Sequence, residues 1–379
     1  MDSLLRYARE KQNDIIASIR EFVECESPSD DAASVNRFVE LLAESARDIA
    51  KPRTFPGGGF GKHLRCEFQL PGVKQEGGLL ALGHSDTVWP RGTIRSMPFR
   101  RAQGRLWGPG VFDMKAGLAF LLHAMRALRD LDIPVGRKVV LQINSDEEVG
   151  SPSSRHLTED AARQSAAVLV LEPGTGLEGK LKTARKGVGG YRLTIRGRAS
   201  HAGMDFTAGA NAIVEMARQI ERIAGFTRLD RGVTVSPGVI QGGTRSNVVA
   251  DECSVEIDVR IQRRADAAYL ERKFRSLKPF DKRCRIEVSG GFNRPPMEPS
   301  AGTRRLFRIA RDLAAEMGIE LEESLSGGGS DGNFTAALGV PTLDGLGAVG
   351  EGAHASNESV LIHRIADRTA LLAKVVARL

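Results

Sequence analysis

At 379 residues the chain holds sequence for two or three domains of about 150 residues each, and its 41% hydrophobic and 27% charged content excludes a disordered tail or a bundle of membrane helices. The net charge of +7 is spread along the chain, and three Tyr and two Trp leave few rings to stack on bases, which argues against nucleic-acid binding and fits small acidic substrates. Cys25, Cys66, Cys253 and Cys284 lie far apart without a CxxC pair, so reduced, buried thiols are expected rather than a thiolate zinc knuckle or a disulfide framework.

The opening segment MDSLLRYAREKQNDIIASIREF mixes charge with apolar residues at helical spacing and lacks the uninterrupted apolar core of a secretory signal. No stretch reaches the roughly 20 apolar residues that span a bilayer, so a cytoplasmic location without membrane association is expected. Helices are expected at residues 2–24, 31–49, 115–131 and 153–164, with short apolar strands at Leu79–Gly83, Lys138–Ile143 and Val168–Leu171. Apolar runs of that length fit strands buried on both faces of a mainly parallel sheet flanked by helices.

Residues 188–289 follow another rhythm: strand Gly190–Arg196, helix Ala208–Ala224, strands Gly232–Ile240 and Cys253–Ile261, helix Ala265–Leu277 and strand Arg283–Ser289. This βαββαβ order is the split, ferredoxin-like unit. The earlier pattern then resumes with a helix at 303–317, a buried strand near Val340–Leu343 and a closing helix at 363–378. The expected fold is α/β: a discontinuous main domain, residues 1–185 and 291–379, with a smaller ferredoxin-like domain, residues 186–290, inserted into it.

The apolar runs stop at informative places. LLALG ends at His84, KVVLQI runs into Asp146, Glu147 and Glu148, VLVL ends at Glu172, and VPTLDGL leads through a glycine-rich loop to His354. Open α/β sheets bind ligands at the carboxyl ends of their strands, so these four loops should converge. Three consecutive acids at the end of a buried strand repel one another unless a cation neutralises them, and no basic residue adjoins them. A bound metal supplies that charge, and mixed imidazole and carboxylate donors suit zinc, with cobalt or manganese as substitutes. A solvated acidic turn is the plain alternative for these acids taken alone.

In Gly83-His84-Ser85-Asp86-Thr87, residues two apart on an extended chain share a face, so Asp86 can accept the free ring N–H of His84 or otherwise buttress the site. GPGVFDMKAG puts Asp113 in a turn at the mouth of the helix at 115–131, where a carboxylate serves as a helix cap or as a bridge between two metals. Glu147 and Glu148 point to opposite sides of an extended chain, so one can ligate while the other moves protons.

Three weaker patterns compete. Gly345–Gly350 satisfies GxGxxG, but too little chain follows for a dinucleotide-binding βαβ unit. Gly328-Gly329-Ser330-Asp331-Gly332 fits the GxSxG nucleophile elbow, with His354 and His363 downstream, but no buried strand leads directly into it. A serine hydrolase using Ser330 is therefore the remote alternative. Gly57–Lys62 resembles a phosphate loop, but Pro56 stands where its first glycine belongs, and a flexible surface loop is the better expectation.

As a set, GHSDTV (83–88), GPGVFDMKAG (108–117), NSDEEVGS (144–151), LEPG (171–174), ASHAG (199–203), GGTRSNVV (242–249), GGGSDGN (327–333) and GAHASNE (352–358) resemble the M20 family of dinuclear zinc peptidases and deacylases, nearest its glutamate carboxypeptidase, carboxypeptidase G type branch. The resemblance implies two Zn2+ ions, one held by His84 and Glu172, the other by Glu148 and His354, with Asp113 between them and Glu147 as general base. It implies that the inserted domain is a lid and homodimer surface, on which His201 and Asn247 polarise the scissile carbonyl or contact a substrate carboxylate, in cis or across the dimer. Arg260, Arg294 and, less directly, Lys180 are candidates to bind that carboxylate, and Gly327, Gly328 and Gly329 to offer backbone N–H groups near it. The implied activity is cleavage of an amide or peptide bond next to a free carboxylate in a small N-acyl amino acid or dipeptide-like substrate. The alternative within this chemistry is an N-acyl amino acid deacylase of acetylornithine or succinyl-diaminopimelate type.

Overall fold

The strand Gln75–His84 shows how the larger part of the chain is layered. Leu79 and Ala81 face one apolar core, while Leu80 and Leu82 face another with Ala161, Ala162, Val168 and Val170. Both faces are therefore buried, which is why the run is apolar without alternation. The structure, a computed structural model, describes residues 2–379. It divides into two units: one formed by the chain up to Ala184, Pro299–Ser326 and Ser330–Leu379, the other by Arg185–Glu298 and Gly327–Gly329.

The larger unit centres on a six-stranded sheet in the order Ala50–Pro56, Lys62–Phe68, Arg137–Asn144, Gln75–His84, Ser165–Val170, Thr342–Leu343. The last four run parallel, and the first two are antiparallel additions at one edge. On one face Ala116–Asp130 packs with Ile365–Arg378, Ser3–Glu10 and Gln12–Glu24, and on the other face lies Arg155–Arg163. The helix expected at 2–24 is two helices, because Lys11 leaves helical geometry at φ −91°, ψ 7°. Asp31 starts the helix Ala32–Ala46 by accepting the Ala33 and Ser34 N–H groups at 3.1 Å, an ordinary carboxylate cap.

Buried Arg368 explains the GLGAVG segment. Its Nε donates to the Gly347 carbonyl at 2.9 Å, its Nη1 to that of Gly179 at 3.0 Å and its Nη2 to that of Gly345. These carbonyls bind a guanidinium inside the fold, and the segment leads into the short strand Gly350–Glu351 rather than a helix. The dinucleotide pattern is thus coincidental.

The smaller unit is one antiparallel sheet in the order Thr234–Gly242, Glu252–Ile261, Gly187–Arg196, Arg285–Arg294, with helices Ala212–Ala224 and Arg264–Arg275 completing the ferredoxin-like order. Alternation is clear here: Tyr191, Leu193 and Ile195 enter the core with Val255, Ile257 and Val259, while Arg192 and Arg196 pair with Glu256 and Glu252 on the open face. The last strand runs to Arg294, beyond residue 291.

Candidate metal centre and active site

His84 ends the central strand and is 2% exposed. Its Nδ1 lies 2.9 Å from the Asp86 backbone oxygen, which makes that nitrogen the N–H donor and aims the Nε2 lone pair inward. Nε2 lies 3.2 Å from Asp113 Oδ1 and 3.4 Å from Glu172 Oε1. On the other side of Asp113, His354 Nε2 is 3.4 Å from Asp113 Oδ2 and 3.2 Å from Glu148 Oε2. Two triads thus share Asp113, and in each the ligand atoms lie within 4.8 Å of one another.

In each triad a ring nitrogen faces two carboxylate oxygens, and Glu148 Oε1 is buried without a hydrogen-bond partner. Such crowding of lone pairs is costly without positive charge. A divalent cation in each triad turns the repulsion into ligation, so these residues fit a pair of metal ions. Protons feel the same field. Burial would lower the pKa of His84, but the carboxylates of Asp113, Asp86 and Glu172 raise it well above the imidazole norm. Hydrogen bonds that the His354 ring donates to Asp113 and Glu148 carry its pKa to about 10 despite its partial burial. Burial pushes Asp113 up, yet the two imidazoles hold it well below the carboxylate range, whereas burial leaves Glu148 raised.

Asp86 works differently from a simple partner of the His84 ring. That ring N–H goes to its backbone oxygen, and its carboxylate stands 3.5 Å away. The carboxylate instead accepts the Glu147 N–H at 3.1 Å, the Glu148 N–H at 3.2 Å and the Ser29 hydroxyl at 2.8 Å. It fixes the backbone that carries both glutamates.

The three-acid run is not one cluster. Asp146 is fully buried on its own, accepting the Ser153 N–H and hydroxyl at 2.6 and 2.7 Å and the Ser154 hydroxyl at 2.5 Å. Its charge is answered by hydroxyl and amide donors, so the expectation that all three acids need a cation is corrected. Beneath the same loop lies His63, also fully buried. Its Nδ1 accepts the Ser145 N–H at 3.1 Å, and its Nε2 is 3.2 Å from the Ser153 hydroxyl.

Glu358 went unnoticed in the sequence. Its carboxylate accepts the backbone N–H groups of Gly110, Phe112 and Asp113 at 2.8, 2.9 and 3.0 Å, and the Trp89 ring N–H at 2.7 Å. It ties the Asp113 turn to the segment carrying His354. His354 itself has φ 62°, a left-handed conformation costly for a residue with a Cβ and typical of functional turns.

In the smaller unit, His201 and Asn247 lie on paired segments: the Ala202 N–H donates to the Asn247 carbonyl at 3.0 Å, and the Val249 N–H to that of Ser200 at 2.9 Å. His201 Nδ1 accepts the Gly203 and Met204 N–H groups at 3.1 Å, which leaves Nε2 as the N–H donor on an exposed ring. Gly327–Gly329 belongs to this unit, where Arg185 donates to the Gly328 and Gly329 carbonyls at 3.1 Å. Buried Arg294 lies against the same segment: a Cβ on Gly329 would meet its Cδ at 2.8 Å. Two candidates are already engaged. Arg260 binds Asp258 through Nε and Nη2, each at 2.9 Å, and Lys180 pairs with Glu322 in the larger unit.

Ser330 is not a nucleophile on an elbow. It is 1% exposed and its hydroxyl donates to Asp344 Oδ2 at 2.8 Å, not to an imidazole. The expectation of a Ser330 hydrolase is corrected on that ground, because a serine nucleophile needs a base within hydrogen-bond reach and an open face.

The chain belongs to Peptidase family M20/M25/M40, which it matches over residues 80–378, and is an enzyme of this peptidase and amidohydrolase class. It is 28% identical to carboxypeptidase G2 of Pseudomonas sp. (strain RS-16) over 98% of this chain and 91% of that protein. It is 30% identical to succinyl-diaminopimelate desuccinylase of Cereibacter sphaeroides over 78% of this chain and 81% of that protein. Among solved structures, a tripeptidase from Staphylococcus aureus shares the fold with a TM-score of 0.79 at 20% identity, covering 97% of this chain and 99% of its own. No helix among the described residues is long and apolar enough to cross a membrane.

Proposed function

We propose that the protein is a di-zinc hydrolase that cleaves an amide or peptide bond next to a free carboxylate, as a glutamate carboxypeptidase does, with Co2+ or Mn2+ as substitute metals. The observation that carries this reading is the pair of triads sharing Asp113. His84, Asp113 and Glu172 would hold one ion, and Asp113, Glu148 and His354 the other. When bound, the ions supply Lewis acidity to the scissile carbonyl and lower the pKa of water.

The chain's own groups do the rest. Glu147, held by its N–H on Asp86 beside the ligand Glu148, takes a proton from the attacking water and passes it to the leaving nitrogen. His201 offers its Nε2–H and Asn247 its amide to the developing oxyanion or to the substrate carboxylate. Arg294, beside Gly327–Gly329, is the candidate to anchor that carboxylate, with Arg260 and Lys180 as the others.

The similarity to a desuccinylase favours a second reading, an N-acyl amino acid deacylase. Hydrolysis of N-acyl glutamates against N-acetyl amino acids by zinc-reconstituted protein, with elemental analysis of the same sample, tests both. Turnover of glutamate derivatives with two zinc ions per chain supports the first, and turnover confined to other N-acyl amino acids supports the second. A homodimer through the smaller unit is part of the proposal. Its edge strand Thr234–Gly242 leaves Val239 and Ile240 half exposed, as are Ile213 and Val214 on the helix Ala212–Ala224. Light scattering should give twice the chain mass.

A further inference from the structure

The GGGSDGN motif divides between the units: Gly327–Gly329 belong to the smaller one, and Ser330, Asp331, Gly332 and Asn333 to the larger. Asp331 is 3% exposed and opens the short helix Gly332–Ala337, yet its carboxylate makes no cap bond to that helix. An aspartate at a helix start ordinarily accepts one of the first unpaired N–H groups. Here the Ser330 hydroxyl takes the Gly332 N–H at 3.1 Å, and the carboxylate turns elsewhere.

Asp331 Oδ2 accepts the Asn144 side-chain amide at 2.5 Å, and Oδ1 accepts the Ser151 hydroxyl. Asn144 ends the strand Arg137–Asn144, and Ser151 follows the loop 145–150 directly. One buried carboxylate therefore grips both ends of the loop that carries Glu147 and Glu148. Each end is stiff. Asn144 also accepts the Gln142 amide at 3.1 Å and donates to the Thr158 hydroxyl at 2.8 Å. Ser151 has φ 59°, a left-handed conformation costly for a residue with a Cβ, and its N–H closes on the Asp146 carbonyl at 2.7 Å. The anchor is fixed too: the Phe334 N–H donates to the Asp331 carbonyl at 3.1 Å, and the Ser330 N–H to Asn333 Oδ1 at 2.9 Å. A Cβ on Gly332 would lie 3.0 Å from Val170 Cγ2, so this turn is close-packed against the central sheet.

Holding the ends of a loop limits where its middle can go, because each fixed end removes backbone freedom from the residues between. Asp86 grips the middle, at the Glu147 and Glu148 N–H groups, and Asp331 grips the ends. A base and a ligand on adjacent residues need that control, since a displacement of about 1 Å can cost about 10² in rate. We infer that Asp331 is a positioning residue for the reaction: by bracketing the loop it aims Glu147 at the attacking water and Glu148 at the metal it would share with Asp113 and His354. It acts through the loop alone. The inference rests on the di-metal hydrolase reading above and adds the residue that sets its base in place.

Asp331→Asn sets one amide against another and breaks the grip at Asn144, whereas Asp331→Asn combined with Asn144→Asp restores the bond with donor and acceptor exchanged. With zinc-reconstituted protein and N-acyl glutamates, Asp331→Asn should lower kcat about 10–100-fold and leave KM within about threefold. One zinc ion should bind about tenfold more weakly, while the other, held by His84 and Glu172 away from the loop, binds as before. The exchanged pair should return kcat to within about fivefold of the original. Amide hydrogen exchange across residues 145–151 reads the loop without turnover: it should be about tenfold faster in Asp331→Asn and near the original rate in the exchanged pair. Thr335→Val is the control for stability alone, because it removes a buried hydroxyl of the same short helix, paired with that of Thr342 at 2.9 Å. It should lower the melting temperature and leave kcat and zinc content within about twofold. Unchanged kcat and exchange in Asp331→Asn, an exchanged pair no better than the single variant, or an equal loss of kcat in Thr335→Val overturns the assignment. If the original zinc-loaded protein hydrolyses no N-acyl amino acid or dipeptide, the hydrolase reading fails instead, and the exchange rates still decide whether Asp331 holds the loop.

Discussion

The two units place their candidate chemistry in opposite ways. In the larger one, ligand atoms sit at the carboxyl ends of parallel strands or on turns pinned by buried carboxylates, Asp86 under Glu147 and Glu148, and Glu358 under Asp113. In the smaller one, His201 and Asn247 are exposed side chains on segments joined by backbone hydrogen bonds. A centre that must hold concentrated charge needs fixed oxygens, because each lone pair out of place is costly there. Donors of the kind proposed for His201 and Asn247 need only a defined backbone and an open tip. The larger unit should therefore govern metal content and the smaller one turnover alone.

The strongest test of that division is Asp113→Asn, which removes charge from both triads at once. Bound zinc should fall from about two ions per chain to one or none, and activity should vanish, by elemental analysis and hydrolysis of N-acyl glutamates. Glu147→Gln should lower kcat by about 10²–10⁴ with zinc content near normal. His201→Asn should cost about 10²–10³ in kcat/KM with zinc content and melting temperature unchanged; zinc loss in this variant would show that the units are not separable in this way. Asp86→Asn is expected to cost about 10–100-fold, divided between zinc affinity and kcat, because one carboxylate holds the backbone of both glutamates.

What could be read from sequence followed the same division. Leu79 to Leu82 announced a strand buried on both faces, whereas Ala50–Pro56, an edge strand with a proline at 52 and another at its end and with mostly uncovered side chains, carries no period to read. The acids and imidazoles at strand ends were visible as a group, because topology sends parallel strand ends to one place. Asp146 could not be told from Glu147 and Glu148, since its neutralising donors, Ser153 and Ser154, come from the returning chain. Glu358 was hidden for a related reason: three of its donors are backbone amides about 245 residues away, and a backbone amide has no side-chain signature. Arg185 gave no signal either, since its partners are carbonyls of a glycine segment.

The histidines of the larger unit sharpen the comparison by its smallest effect. His84 and His354 are ringed by carboxylates, but His123, on the helix Ala116–Asp130, meets the Ser18 hydroxyl at 3.0 Å and is 6% exposed. Burial lowers its pKa to about 4, Arg126 adding to the effect and Asp14 and Asp48 opposing it. An unfolded imidazole titrates near ~6.5, so between these values the unfolded chain binds the extra proton. The stabilising contribution of neutral His123 is therefore complete above that range and lost as pH falls through it toward 4. Between pH 7.5 and pH 5 the loss is about 2 kcal/mol. Urea denaturation at both pH values, at matched zinc content, should show a fall in stability that is smaller by about this amount in His123→Asn, whatever the variant costs at pH 7.5. An equal fall in both proteins would mean that His123 takes up its proton without unfolding, and that the burial separating it from His84 and His354 does not keep its ring neutral.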